Sequence, residues 1–182
     1  MRAARIERYG GPDAIEIVEL DDPHPGPGQV VVDVEYAAVN FPDLLIMQNL
    51  YQVSVPLPFV PGSEYSGRIV EIGDGVTGWS IGDRVYGGAM AGAFSEKVVA
   101  DAARLNRVPE KVSMKAAAAF NVVYGTSYHT LRSTAEVKPG EWVVVLGASG
   151  GVGLSSVEIA KAMGAKVLAA ASTDEKLAIC KQ

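Results

Sequence analysis

The segment that most constrains this chain runs Glu141-Trp-Val-Val-Val-Leu-Gly-Ala-Ser-Gly-Gly-Val-Gly153. An uninterrupted β-branched run of this kind predicts a strand buried on both faces of a parallel sheet. It enters a glycine-rich loop. Leu154, Val157, Ile159, Ala160 and Met163 then recur at helical spacing, with Gly164 in the place of a C-terminal cap. Lys166–Ala171 reads as a second buried strand and 173–181 as another helix. The order β-α-β-α opens a doubly wound parallel sheet.

Compared with G-x-G-x-x-G, Ala148 stands at the first glycine, while Gly150 and Gly153 hold the other two places. Small residues let the backbone of Gly147, Ala148, Ser149, Gly150, Gly151, Val152 and Gly153 approach a pyrophosphate, and the amides of the following helix face its charge. A unit reading NAD places Asp or Glu about 20 residues further on, at the tip of the second strand. Here that place holds Ser172, followed by Thr-Asp-Glu-Lys176. A hydroxyl that can donate to a 2′-phosphate, with Lys176 on the same helix face, favours NADPH. Two alternatives stay open: Asp174 in the ribose role, and Ser172-x-x-Glu175 as a capping box.

The preceding residues have a different character. Ala3–Tyr9 and Ala14–Glu19 predict a hairpin, Gln29–Ala38 a strand with one wetter face, and Phe41–Asn49 a short helix with Pro42 in its first turn. Strands are also expected at Gly67–Ile72, Arg84–Tyr86 and Ala93–Val99, and helices at Ser113–Phe120 and Val122–Ser133. The first block is a small irregular β domain. We place the division at 1–124 and 125–182. Because a second half-sheet would follow in a complete fold, the chain is expected to be an N-terminal fragment with exposed sheet edges that associate.

Composition narrows the functional classes. Sixteen basic and 21 acidic side chains give a net charge of −5, which does not suit a nucleic-acid binder. No apolar run has the length of a membrane span or a signal-peptide core. Cys180 is the single cysteine, so neither an intramolecular disulfide nor a multi-cysteine zinc site can form within these residues. A cytoplasmic protein is expected. His129 is expected to pack beside Tyr124 and Tyr128, and His24 to be solvated.

Val39-Asn-Phe-Pro-Asp43, Pro61-Gly-Ser-Glu-Tyr-Ser-Gly67, Gly82-Asp-Arg-Val85, Gly92-Ala-Phe-Ser-Glu96, Tyr124-Gly-Thr-Ser-Tyr-His129 and the glycine loop occur in an order that resembles the zinc-independent quinone oxidoreductase (zeta-crystallin-like) branch of the medium-chain dehydrogenase/reductase superfamily. The resemblance implies a GroES-like catalytic domain followed by the first part of a Rossmann fold. Asn40 and Ser63 stand where the zinc branch has ligands, and an amide with a hydroxyl does not make a catalytic zinc site. The resemblance further implies Asn40 beside the nicotinamide, Tyr51 lining the acceptor pocket and cofactor contact near Thr126. A homo-oligomer, a dimer, is expected. A second tyrosine of the family would match Leu45, a departure that bears on the acceptor. The implied activity is hydride transfer from NADPH to a quinone or α,β-unsaturated carbonyl. An NADPH-binding, crystallin-like structural role and an enoyl reductase are the alternatives.

Overall fold

The computed structural model describes residues 1–181. The chain divides into two compact units, Met1–Asn121 and a second from Val122 onward.

In the first unit β1 (Arg2–Ile6) and β2 (Ile15–Glu19) form the expected antiparallel hairpin. The second sheet contains β3 (Gln29–Ala38), and α1 (Phe41–Met47) follows it, beginning as the proline predicts. Then come β4 (Glu64–Ile72), β5 (Arg84–Gly88), β6 (Lys97–Asp101) and β7 (Asn106–Arg107), in the spatial order β6-β3-β4-β5-β7, all antiparallel. Register shifts interrupt the β3–β4 ladder at Val31/Val32 and Val34/Tyr36. They are the reason period-2 reading fails there, and Val30, Val31 and Val32 are all buried. The core gathers Val30, Val32, Tyr65, Ile69, Val85 and Val98. α2 (Met114–Ala118) is capped by Ser113, whose hydroxyl accepts from the Ala116 amide. It packs on β3 and β4, and the buried Ser66 hydroxyl donates to the Met114 carbonyl at 2.7 Å.

The second unit is built from α3 (Asn121–Tyr128), which continues as a π-helical turn over His129–Thr134, then β8 (Trp142–Leu146), α4 (Gly151–Ala162), β9 (Lys166–Ala170) and α5 (Asp174–Ile179). β8 and β9 pair in parallel, Trp142 opposite Lys166 and Leu146 opposite Ala170. Val143, Val145, Val167 and Ala169 face the helical side, where Val157 packs. Gly164, with φ of +81°, follows the last turn of α4 as expected.

The structure adds to these expectations in three places. Within these residues helices cover one face of the strand pair, and on the other Trp142, Val144, Leu146 and Leu168 are all more than half exposed. His129 is exposed rather than packed, since the buried positions of this stretch are Ser127 and Leu131. The cap of α5 is Thr173, not Ser172, for it is the Thr173 hydroxyl that accepts from the Lys176 amide.

Candidate functional sites

In the second unit, the end of β8 delivers the chain into Gly147, whose φ of +67° is a left-handed conformation that a side chain resists. The loop then folds on itself. The Ala148 amide donates to the Ala170 carbonyl at 3.0 Å, joining the loop to the end of β9, and the Gly150 amide donates to the Gly147 carbonyl at 3.0 Å. Gly150 caps α4 from extended backbone. The first-turn amides of α4, on Gly151, Val152 and Gly153, therefore have no carbonyl four residues back within the helix and are available to an anion.

The loop glycines have different reasons to be glycine. A Cβ on Gly153 would lie 2.3 Å from the Gly147 carbonyl oxygen, so close packing of helix and loop demands glycine. A Cβ on Gly150 would come no nearer than 3.5 Å to any atom outside its chain neighbours. That open side is where a ligand can reach the amides.

A cleft of about 320 Å³ is lined by Gly147, Ser149, Ala170, Ala171, Ser172 and Lys176. Four of these six are residues singled out from the sequence. Ala170 and Ala171 were missed, although they are the tip of the strand that leads to Ser172. The Lys176 ammonium donates to the Ser172 hydroxyl at 3.2 Å, so the two groups expected to hold a 2′-phosphate are side by side. These features fit a phosphorylated dinucleotide. Ala148 is fully buried beside Val145 and Val157 and its amide already has an acceptor, so it anchors the loop from within. Thr126 is exposed, and its carbonyl accepts from the Thr130 hydroxyl.

In the first unit, Asn40 occupies the cap position of α1. Its amide N–H donates to Asp43 Oδ2 at 2.7 Å, and its side-chain Nδ2 donates to Glu64 Oε1 at 2.8 Å. Asp43 and Glu64 are each only 1% exposed, so this is a deeply embedded polar cluster. Asp43 Oδ1 and Ser63 Oγ lie in the same stretches, buried and without a hydrogen-bond partner. Glu64 as the partner of Asn40 was not legible from the sequence. The Asn-x-x-Asp spacing at the start of α1 was the available signal for Asp43. Tyr51 is half-buried against the cluster of Ile6, Ile46, Met47 and Phe59. Among the described residues no group of three or more His, Cys, Asp and Glu side chains is arranged to hold a metal ion, and no helix is long and apolar enough to cross a membrane.

An irregular antiparallel β unit followed by the opening β-α-β-α of a Rossmann sheet defines a class, a GroES-like domain joined to a dinucleotide-binding fold. Comparison with known proteins agrees. Residues 26–110 match the alcohol dehydrogenase GroES-like domain. The chain is 37% identical over 177 residues to the quinone oxidoreductase of Homo sapiens, covering 96% of this chain and 54% of that protein. It is 36% identical over 197 residues to the acryloyl-coenzyme A reductase of Metallosphaera sedula, covering 93% of this chain and 59% of that protein. The structure of Escherichia coli quinone oxidoreductase complexed with NADPH superimposes on all of this chain and 56% of its own, with a TM-score of 0.94 and 31% identity. The chain is thus similar along nearly its whole length to quinone oxidoreductases, and it carries the alcohol dehydrogenase GroES-like domain over residues 26–110. It spans about half the length of the curated relatives it matches.

Proposed function

We propose that the protein is a zinc-independent reductase that uses NADPH to reduce a quinone or an α,β-unsaturated carbonyl. The observation that carries this reading is the Ser172–Lys176 pair, 3.2 Å apart in a cleft it shares with Gly147 and Ser149. The NADPH bound by the E. coli relative and the acryloyl-coenzyme A reductase name support the cofactor and the acceptor class.

In this reading residues 125–182 carry the cofactor. The first-turn amides of α4 take the pyrophosphate oxygens, the open side of Gly150 admits them, and Ser172 with Lys176 holds the 2′-phosphate. Bound NADPH supplies the hydride. Residues 1–124 receive the acceptor. Asn40 and Thr126 contact the cofactor and Tyr51 faces the acceptor. Glu64 holds one Asn40 amide proton, which leaves the other free to meet developing negative charge. Asn40 and Ser63 offer a divalent metal no strong ligand, so an already electrophilic acceptor suits this site better than a simple alcohol. We place the protein in the cytoplasm as a homodimer. One cysteine in 182 residues supports a reducing compartment.

The test is a pair of fluorescence titrations with NADPH and NADH, followed by NADPH oxidation with small quinones and enals, with and without a chelator. Tighter NADPH binding and chelator-resistant turnover are expected. Equal affinity for the two cofactors, or activity lost together with stoichiometric zinc, would overturn the reading.

A further inference from the structure

Three serine hydroxyls meet where α3 crosses the start of α4. Ser127 and Ser155 are 0% and 1% exposed, and their oxygens lie 2.7 Å apart. The Ser156 hydroxyl donates to Ser127 at 2.9 Å. Within reach of the Ser155 hydroxyl are the carbonyls of Val123 at 3.1 Å, Gly151 at 3.0 Å and Val152 at 3.1 Å. Ser127 also reaches the Val152 carbonyl, at 3.1 Å. The helices are close here, since a Cβ on Gly151 would lie 3.0 Å from a Val123 methyl.

The two α4 carbonyls in this network belong to the glycine loop. A peptide unit is planar, so holding the carbonyl of one residue sets the direction of the next residue's amide. Each hydroxyl has one proton, so with Ser156 donating to Ser127 and Ser127 to Ser155 the Ser155 proton holds one carbonyl at a time: on the Gly151 carbonyl it aims the Val152 amide, on the Val152 carbonyl the Gly153 amide. Both are first-turn amides without an acceptor inside the helix. Buried hydroxyls in a connected chain polarise one another and hold one geometry.

We propose that Ser127 and Ser155 are positioning residues for a dinucleotide pyrophosphate, acting through the amides of Val152 and Gly153. The proposal rests on the NADPH reading above. It separates two parts of the ligand: the pyrophosphate depends on the serine pair, while the 2′-phosphate depends on Ser172 and Lys176.

The experiment uses the full-length protein with NADPH and adenosine 2′-monophosphate as probes, binding read by calorimetry and stability by thermal melting. Removing both hydroxyls at once, in Ser127→Ala/Ser155→Ala, leaves neither buried serine facing a lost partner, so the melting temperature is expected to stay near that of the parent. NADPH should bind roughly three- to thirtyfold more weakly, the scale of one or two lost hydrogen bonds, while adenosine 2′-monophosphate binds as before. Should the double variant melt early, Ser155→Cys, which keeps the volume with a weaker donor, reads the same selectivity. Unchanged NADPH affinity, or equal weakening of both probes, would overturn the positioning role. A parent protein that binds neither probe would overturn the cofactor reading beneath it.

Discussion

The Lys176 ammonium lies 3.2 Å from the Ser172 hydroxyl, across the start of α5 and on the lining of the loop cleft. An ammonium can only donate, so the serine oxygen accepts and its own proton remains free for a third group. Two donors then converge on one point, the arrangement a 2′-phosphate needs. Lys176→Glu replaces a donor and a positive charge with a negative one. We expect it to narrow the preference for NADPH over NADH by about 1–3 kcal/mol, measured by fluorescence titration. An unchanged preference would remove Lys176 from the site.

Gly150→Ala and Gly153→Ala should part company. At Gly150 the backbone is extended and the nearest atom to a new Cβ is 3.5 Å away, so the fold should tolerate alanine. The methyl would stand at the approach to the first-turn amides and weaken NADPH binding. At Gly153 the same methyl meets the Gly147 carbonyl oxygen at 2.3 Å and should cost about 1–3 kcal/mol of stability. Thermal melting beside NADPH titration separates the two effects.

Asn40 and Glu64 give a prediction about charge. Asn40→Ala removes a donor from a buried carboxylate and should cost about 1–3 kcal/mol. Asn40→Asp instead sets two carboxylates within hydrogen-bond distance, and such a pair keeps a proton. Its folded-state pKa then lies above the unfolded value. Stability is fully present below the unfolded value and is lost as pH rises through the folded one. The Asn40→Asp protein should melt at progressively lower temperature between about pH 4 and 8. A flat profile would show that the two groups do not share a proton.

Glu96 works in the opposite direction. The Arg2 backbone N–H donates to its Oε2 at 2.8 Å and the Arg2 guanidinium to its Oε1 at 2.8 Å. The backbone bond first, and the guanidinium after it, hold this carboxyl below the ordinary glutamate value of 4.5. A depressed folded pKa contributes stability above the unfolded value that is lost as pH falls through the folded one. Glu96→Gln should therefore flatten the melting profile below about pH 4.5 relative to the parent. Identical acid limbs would show that this contact adds nothing.

The stripe of Trp142, Val144, Leu146 and Leu168, with Leu146 at 80% exposure, is the kind of apolar surface that draws chains together. Sedimentation of these 182 residues should show concentration-dependent association. Leu146→Lys should weaken it without lowering the melting temperature. Val145→Lys, one residue away but facing the helices at 9% exposure, should unfold the second unit. Association unaffected by Leu146→Lys would place the contact elsewhere.

Much of this protein was determined along the chain itself. Pro42 at the start of α1, Ser113 before α2, Gly164 after α4 and the loop of Gly147, Gly150 and Gly153 act on backbone a few residues away. Local sterics and hydrogen bonds suffice to place them, so strand, loop and helix were legible in order. The two-residue β7 was not, because its ladder exists only opposite Val85 and Tyr86. The Asn40–Glu64 bond spans 24 residues and the Ser127–Ser155 bond 28. No periodicity joins such pairs. A hydrogen bond needs two atoms within about 3 Å, and only the packing of one element on another brings these side chains that close.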